Sequence, residues 1–151
     1  MYTNILVAYS VTSTAHSALH ECTRILPAHA TTPVHVLVVI DPPPMPVVGE
    51  FGTYVEATFE DDYEQIRERV QKEAIAAMSV LREHGLTPIL HIERGDPVRI
   101  IAGLVEELAI DLVVIGHSRH KPFALRWWRG ATDAVLVEKV RCSVLVAASS
   151  S

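Results

Sequence analysis

Two glycines, Gly116 and Gly130, bracket a loop carrying His117, Arg119, His120, Lys121, Arg126 and Arg129, with Trp127 and Trp128 beside its last cation. A short apolar run, residues 112–115, precedes the first glycine, and a helical pattern follows the second. A glycine ending a buried strand lets backbone amides approach an anion closely. The first amides of the next helix have no acceptor within the helix and point outward. These residue types therefore suit phosphate: amides from Gly116, Gly130, Ala131 and Thr132, a hydroxyl from Thr132, and charge from Arg119. The same cations also suit a solvated face in which long Arg and Lys stems cover Phe123 and Trp128.

Other groupings with chemical potential are sparser. His16 and His20 are four apart on a helical stretch, the spacing of a metal-binding pair, but no third ligand accompanies them and two ligands do not complete a zinc site. Gly116, His117 and His120 superficially match a two-histidine nucleotidyltransferase signature, which belongs after the first strand and needs a glycine where Arg119 stands. There is no lysine phosphate loop and no Gly-x-Ser-x-Gly elbow. A phospho-receiver domain needs an aspartate at the end of the third strand, where Arg94 and Gly95 stand. Carboxylates are scarce at the strand ends, so a general acid and base pair is hard to build. The reading is a binding protein and not an efficient enzyme, with slow ATP hydrolysis as the residual alternative. Cys22 and Cys142 lack the close spacing of a redox or metal pair and read as reduced, buried thiols.

The elements that must position the loop follow a regular order. Residues 4–9 and 34–40 are nearly continuous apolar runs, the pattern of strands buried on both faces of a parallel sheet. Between them Ala15, Ala18, Leu19, Cys22 and Leu26 recur at helical spacing before Pro27. The prolines 42–44 with Gly49 and Gly52 predict a long surface loop over residues 41–58, placed to act as a lid. Tyr63, Ile66, Val70, Ala74, Ala77, Met78 and Leu81 predict one helix over residues 59–84, closed by Gly85. A third strand over 87–92 leads to Asp96 as N-cap and Pro97 at the first helical position, with Ile100, Ile101, Leu104 and Leu108 as the inner face. A strand over 112–115, a helix over 131–140 and a strand over 143–147 complete the pattern. Strands alternating with helices imply right-handed crossovers and a doubly wound, five-stranded parallel sheet with helices on both faces.

With 151 residues the chain fits one domain, able to bury a core without disulfides or metal. Its net charge of −5 disfavours general nucleic-acid binding. No apolar run is long enough to span a bilayer, and the first residues lack the positive charge of a secretory signal, so a cytoplasmic location is expected. The last strand, from Ser143 to Ala147, is apolar on both faces and would need a partner strand or subunit if it lies at an edge. This predicts a homodimer.

Three pieces resemble the universal stress protein family: Ile5 to Ser10, the trio Gly95, Asp96 and Pro97, and residues 116–146. The resemblance covers essentially the whole chain in order and spacing. It implies an adenine nucleotide alpha hydrolase-like fold with strand order 3-2-1-4-5, usually dimeric, and in many members ATP binding. It also implies that adenine would meet the backbone after Val39, with Ala8 nearby. The ATP-binding pattern survives in part. Gly116 and Gly130 match its outer glycines, but its middle glycine is replaced by Arg119, the hydroxyl position after Gly130 is Ala131 with Thr132 next to it, and Ser10 stands where an aspartate is usual. The loss of that aspartate weakens magnesium-assisted binding. The resemblance therefore implies a domain binding ATP or another adenine nucleotide. The alternative is a nucleotide-independent dimeric interaction module whose basic loop contacts a protein or a small anionic ligand.

Overall fold

A computed structural model describes residues 1–9, 15–40, 52–117 and 130–148. Its elements are β1 (Ile5–Tyr9), α1 (Ala15–Ile25), β2 (Val34–Ile40), α2 (Gly52–Ala77), α3 (Ser79–Glu83), β3 (Pro88–Arg94), α4 (Pro97–Glu107), β4 (Leu112–His117), α5 (Gly130–Lys139) and β5 (Ser143–Ala148). The five strands form one sheet in the order β3-β2-β1-β4-β5, every pair parallel.

Both faces of the sheet are covered, so its central strands are apolar almost throughout, with His35 of β2 an exception. Successive side chains point to opposite faces, and the core divides accordingly. Ile5, Val7 and Tyr9 of β1, with Val34, Val36 and Val38 of β2, pack against α1, α2 and α3 through Leu19, Val70 and Leu81. Leu6 and Ala8, with Leu37 and Val39, pack against α4 and α5 through Ile101, Leu104 and Leu136. Fully burying one such leucine contributes about 1.5–3 kcal/mol, which is what fixes each helix to its face.

The α4 start is built as its sequence dictates. Asp96 is extended, and its carboxylate accepts from the Arg99 amide at 3.1 Å while Pro97 opens the helix. Gly85 ends α3 in a left-handed turn at φ +83, where its amide donates to Arg82 and the Leu86 amide reaches back to Leu81.

Three expectations need correction. Residues 52–58 are helical, not loop: Gly52 opens α2, and neither glycine nor proline follows it within the helix, which runs unbroken to Ala77. The remainder of the expected lid, residues 41–51, lies outside the described residues. The helix expected over 59–84 divides at Met78, whose ψ of −10 tightens the turn between α2 and α3. On α4 the expected inner face holds: Ile101 and Leu104 are buried, the half-buried Ile100 and Leu108 pack against the same core, and Val105 joins them. Cys22 is buried but Cys142 is only half-buried, because it precedes the edge strand β5; both thiols are free.

At the start of the sheet, Asp111 ties β1 to β4. Its carboxylate accepts from the Thr3 amide at 2.7 Å, the Thr3 hydroxyl at 2.9 Å and the Asn4 amide at 2.9 Å. Asn4 in turn donates from Nδ2 to the carbonyls of Leu108 and Ala109, each at 3.3 Å. Burial alone would raise the Asp111 carboxyl, but these donors outweigh it and hold the group below its ordinary value.

Candidate functional site at the strand ends

In an open parallel sheet the ligand crevice forms beyond the carboxyl ends of the strands, where the chain leaves in opposite directions from neighbouring strands. Here that point lies between β1, which leads toward β2, and β4, which leads toward β5. Ala8 stands opposite Ile115 in the β1–β4 pairing, and Gly116 is the next residue along. On the other side Tyr9 stands opposite Val38, so Val39 is one step further along β2. Ala8, Val39 and Gly116 thus reach the same rim from three adjacent strands. The side chains of Ala8 and Val39 are 1% and 5% exposed and belong to the core beneath the rim, leaving the backbone as their contribution to it.

Gly130 is the first residue of α5, with Ala131 and Thr132 in its first turn. Since α5 connects two parallel strands, its N-terminus lies at the same end of the sheet as the end of β4. The outward amides of that turn and the partial positive charge of the helix end favour an anion. Leu136, fully buried, holds α5 against the sheet. Ser10, Arg119, Trp127 and Trp128 lie outside the described residues.

Several rim contacts escaped the sequence reading. The His16 ring meets Tyr9 edge-on, with centroids 6.2 Å apart. Burial, followed by the charge of Glu73, raises the Tyr9 phenol, so it stays neutral and apolar beneath the rim. Ser17 donates to the Ala147 carbonyl at 3.4 Å, joining α1 to the end of β5. The Arg94 guanidinium stacks 4.7 Å above the Tyr63 ring, and the Gly95 amide donates to the Ile40 carbonyl at 3.2 Å. An Arg–Gly pair at the end of a strand was the available signal, but its aromatic partner lies 31 residues earlier. His16 and His20 are exposed, and the described residues contain no group of three or more metal-ligating side chains.

A cavity of about 640 Å³ lies at the opposite end of the sheet, lined by Met1, Tyr2, Asp111, Arg141, Cys142 and Ser143. It lies away from the helix N-termini and strand ends that suit a phosphate, and the Asp111 carboxylate in its wall is already engaged. Strand topology, not concavity, marks the candidate site.

The sequence matches the model of the universal stress protein family over residues 1–148. The chain belongs to the universal stress protein family. Solved universal stress protein structures and their relatives share its fold. The protein MJ0577 superposes with a TM-score of 0.77 at 21% identity, covering 99% of this chain and 97% of its own. A family member from Arabidopsis thaliana with AMP bound gives 0.64 at 16% identity, covering 97% and 91%. The universal stress protein from Archaeoglobus fulgidus in complex with dAMP gives 0.54 at 18% identity, covering 96% and 97%. Comparison with curated proteins gives no match. The sheet order is that of the adenine nucleotide alpha hydrolase-like fold, as the sequence resemblance implied. No described helix is long and apolar enough to cross a membrane.

Proposed function

We propose that this universal stress protein binds an adenine nucleotide in the crevice between the ends of β1 and β4, and acts in stress response as a binding and signalling domain without efficient chemistry of its own. The observation that carries this reading is that the end of β4 at Gly116 and the N-terminus of α5 at Gly130 lie at one end of the sheet. The AMP and dAMP bound by two relatives of the same fold support the adenine class. Amides of Gly116, Gly130, Ala131 and Thr132 would hold phosphate, with the Thr132 hydroxyl and the Arg119 charge in place of the missing glycine. The backbone beside Ala8 and Val39 would meet adenine, and Ser10 would lie near the ribose without supplying a magnesium carboxylate. ATP is within this reading, and binding would depend little on magnesium.

The proposed assembly is a cytoplasmic homodimer through β5. That strand is at the sheet edge with Val146 42% exposed, and Val137 on neighbouring α5 is 58% exposed. Isothermal calorimetry with AMP and with ATP, each with and without magnesium, tests the ligand. Saturable heat with either nucleotide, little changed by magnesium, is expected. No heat at millimolar concentrations of both nucleotides would overturn the proposal in favour of a nucleotide-independent interaction module.

A further inference from the structure

His35 is the only buried polar or charged side chain among the described residues, 8% exposed in a strand otherwise made of aliphatic residues. It is not stranded there. Its Nδ1 lies 2.9 Å from Nε2 of His91 on β3, with ring centroids 5.1 Å apart and planes tilted by 38°. His91 is half-buried, and β3 is the edge strand of the sheet. Beyond the backbone pairing, this side-chain bond joins β2 to that edge.

One N–H···N bond between two imidazoles uses one proton. Either ring can donate, and the other must present a lone pair. The arrangement tolerates one added proton, because N–H⁺···N is a charge-assisted version of the same bond. A second proton places N–H against N–H and charge against charge, so the 2.9 Å contact cannot persist. The surroundings offer little relief. Beside His35 stand Leu6 of β1 and Ile89 of β3, and beside His91 stands Leu37. Two residues beyond His91 on its own face is Glu93, which is exposed. The helices packed on this side bring Arg99, Glu106 and Glu107 from α4 and Glu138 and Lys139 from α5, all exposed.

We propose that His35 and His91 form an acid-sensitive clasp on the β3 edge, closed while the pair holds at most one added proton and opened by the second. The site is separate from the strand-end crevice and does not depend on nucleotide binding. Burial, followed by the charge of His91, lowers His35 below its ordinary 6.5, and no carboxylate acts on it in the opposite sense. The sign follows: the loosened chain takes up protons more readily than the clasped pair, so the clasp is fully favoured above about 6.5 and weakens as the pH falls below it, opening when the second proton binds. Loosening β3 would uncover the β2 edge next to Ile89, which is already 44% exposed.

The test is hydrogen exchange by NMR on the full chain between pH 7.5 and 5, corrected for intrinsic exchange, with the imidazole Cε1–H signals followed in parallel. Amides of β3 should lose protection relative to those of β1, by about tenfold for each unit by which the second step is depressed. His91→Gln can still bond to His35 but cannot hold a second charge. It should keep β3 protected at both pH values and move the His35 transition upward. A wild-type protein whose β3 and β1 amides respond equally would overturn the clasp. So would a His91→Gln variant that keeps the acid-induced loss. Should the variant fail to fold, the wild-type titration still decides: two separated steps support the pair, and two superimposed ordinary histidine curves refute it.

Discussion

Replacing Asp111 by alanine removes the acceptor that holds the residues leading into β1 beside the start of β4, and the consequence can be worked from three contacts. The carboxylate accepts from the Thr3 amide, the Thr3 hydroxyl and the Asn4 amide at 2.7, 2.9 and 2.9 Å. A hydrogen bond to an ionised group contributes about 1.5–3 kcal/mol when shielded. Two of these three are exposed, so water recovers most of their value, and only the part-buried Asn4 bond retains its full weight. The discounted sum is about 2 kcal/mol, or a fall in Tm of roughly 4–8 °C for a domain of this size. Asp111→Asn keeps one acceptor oxygen and should lose about half as much. Because the folded carboxyl lies below its ordinary 3.8, its contribution is complete above that value and disappears as the pH falls through the lower folded value. The wild type should therefore lose its advantage over Asp111→Asn in strong acid. The assay is thermal melting by circular dichroism across a pH series. An alanine variant melting within about 1 °C of wild type at pH 7 would refute the reasoning, as would an advantage over Asp111→Asn that does not change with pH.

Gly85→Ala should cost about 1–2 kcal/mol, since φ is +83 there and an L side chain is strained in that region. The new methyl would also meet the His29 imidazole, which is exposed and can turn aside, so adding His29→Ala should recover only a small part of the loss in urea melts. Val146→Glu, placed on the exposed face of the edge strand, should convert the proposed dimer to a folded monomer in sedimentation. A persistent dimer would place the interface elsewhere.

The sequence disclosed those features whose cause is local. Asp96 and Pro97 announced the start of α4 because cap and ring act within one turn. Gly85 announced the end of α3 for the same reason, and nearly continuous apolar runs announced β1 and β2 because both their faces are buried. What stayed hidden depends on partners far apart along the chain. Asp111 meets Thr3 across 108 residues, and His35 meets His91 across 56. Neither pairing leaves a periodic trace, and a histidine inside an apolar run looks the same whether or not another strand supplies its bond. The start of α2 was missed because Gly52 resembles a loop residue until the run that follows is weighed as a helix. At the candidate site the outer glycines were legible, and the fold carries Gly116 and Gly130 to one end of the sheet. The roles of Arg119 and Ser10 rest on the proposal.

The central claim, an adenine nucleotide held between the end of β4 and the start of α5, is tested most directly by amide NMR during a titration with AMP. Saturable shifts at Gly116, Gly130, Ala131 and Thr132, with Leu112 and Ser143 at the far end of the sheet unmoved, are the predicted result. No shifts at millimolar AMP, or shifts confined to the residues around Asp111 and Cys142, would contradict the account.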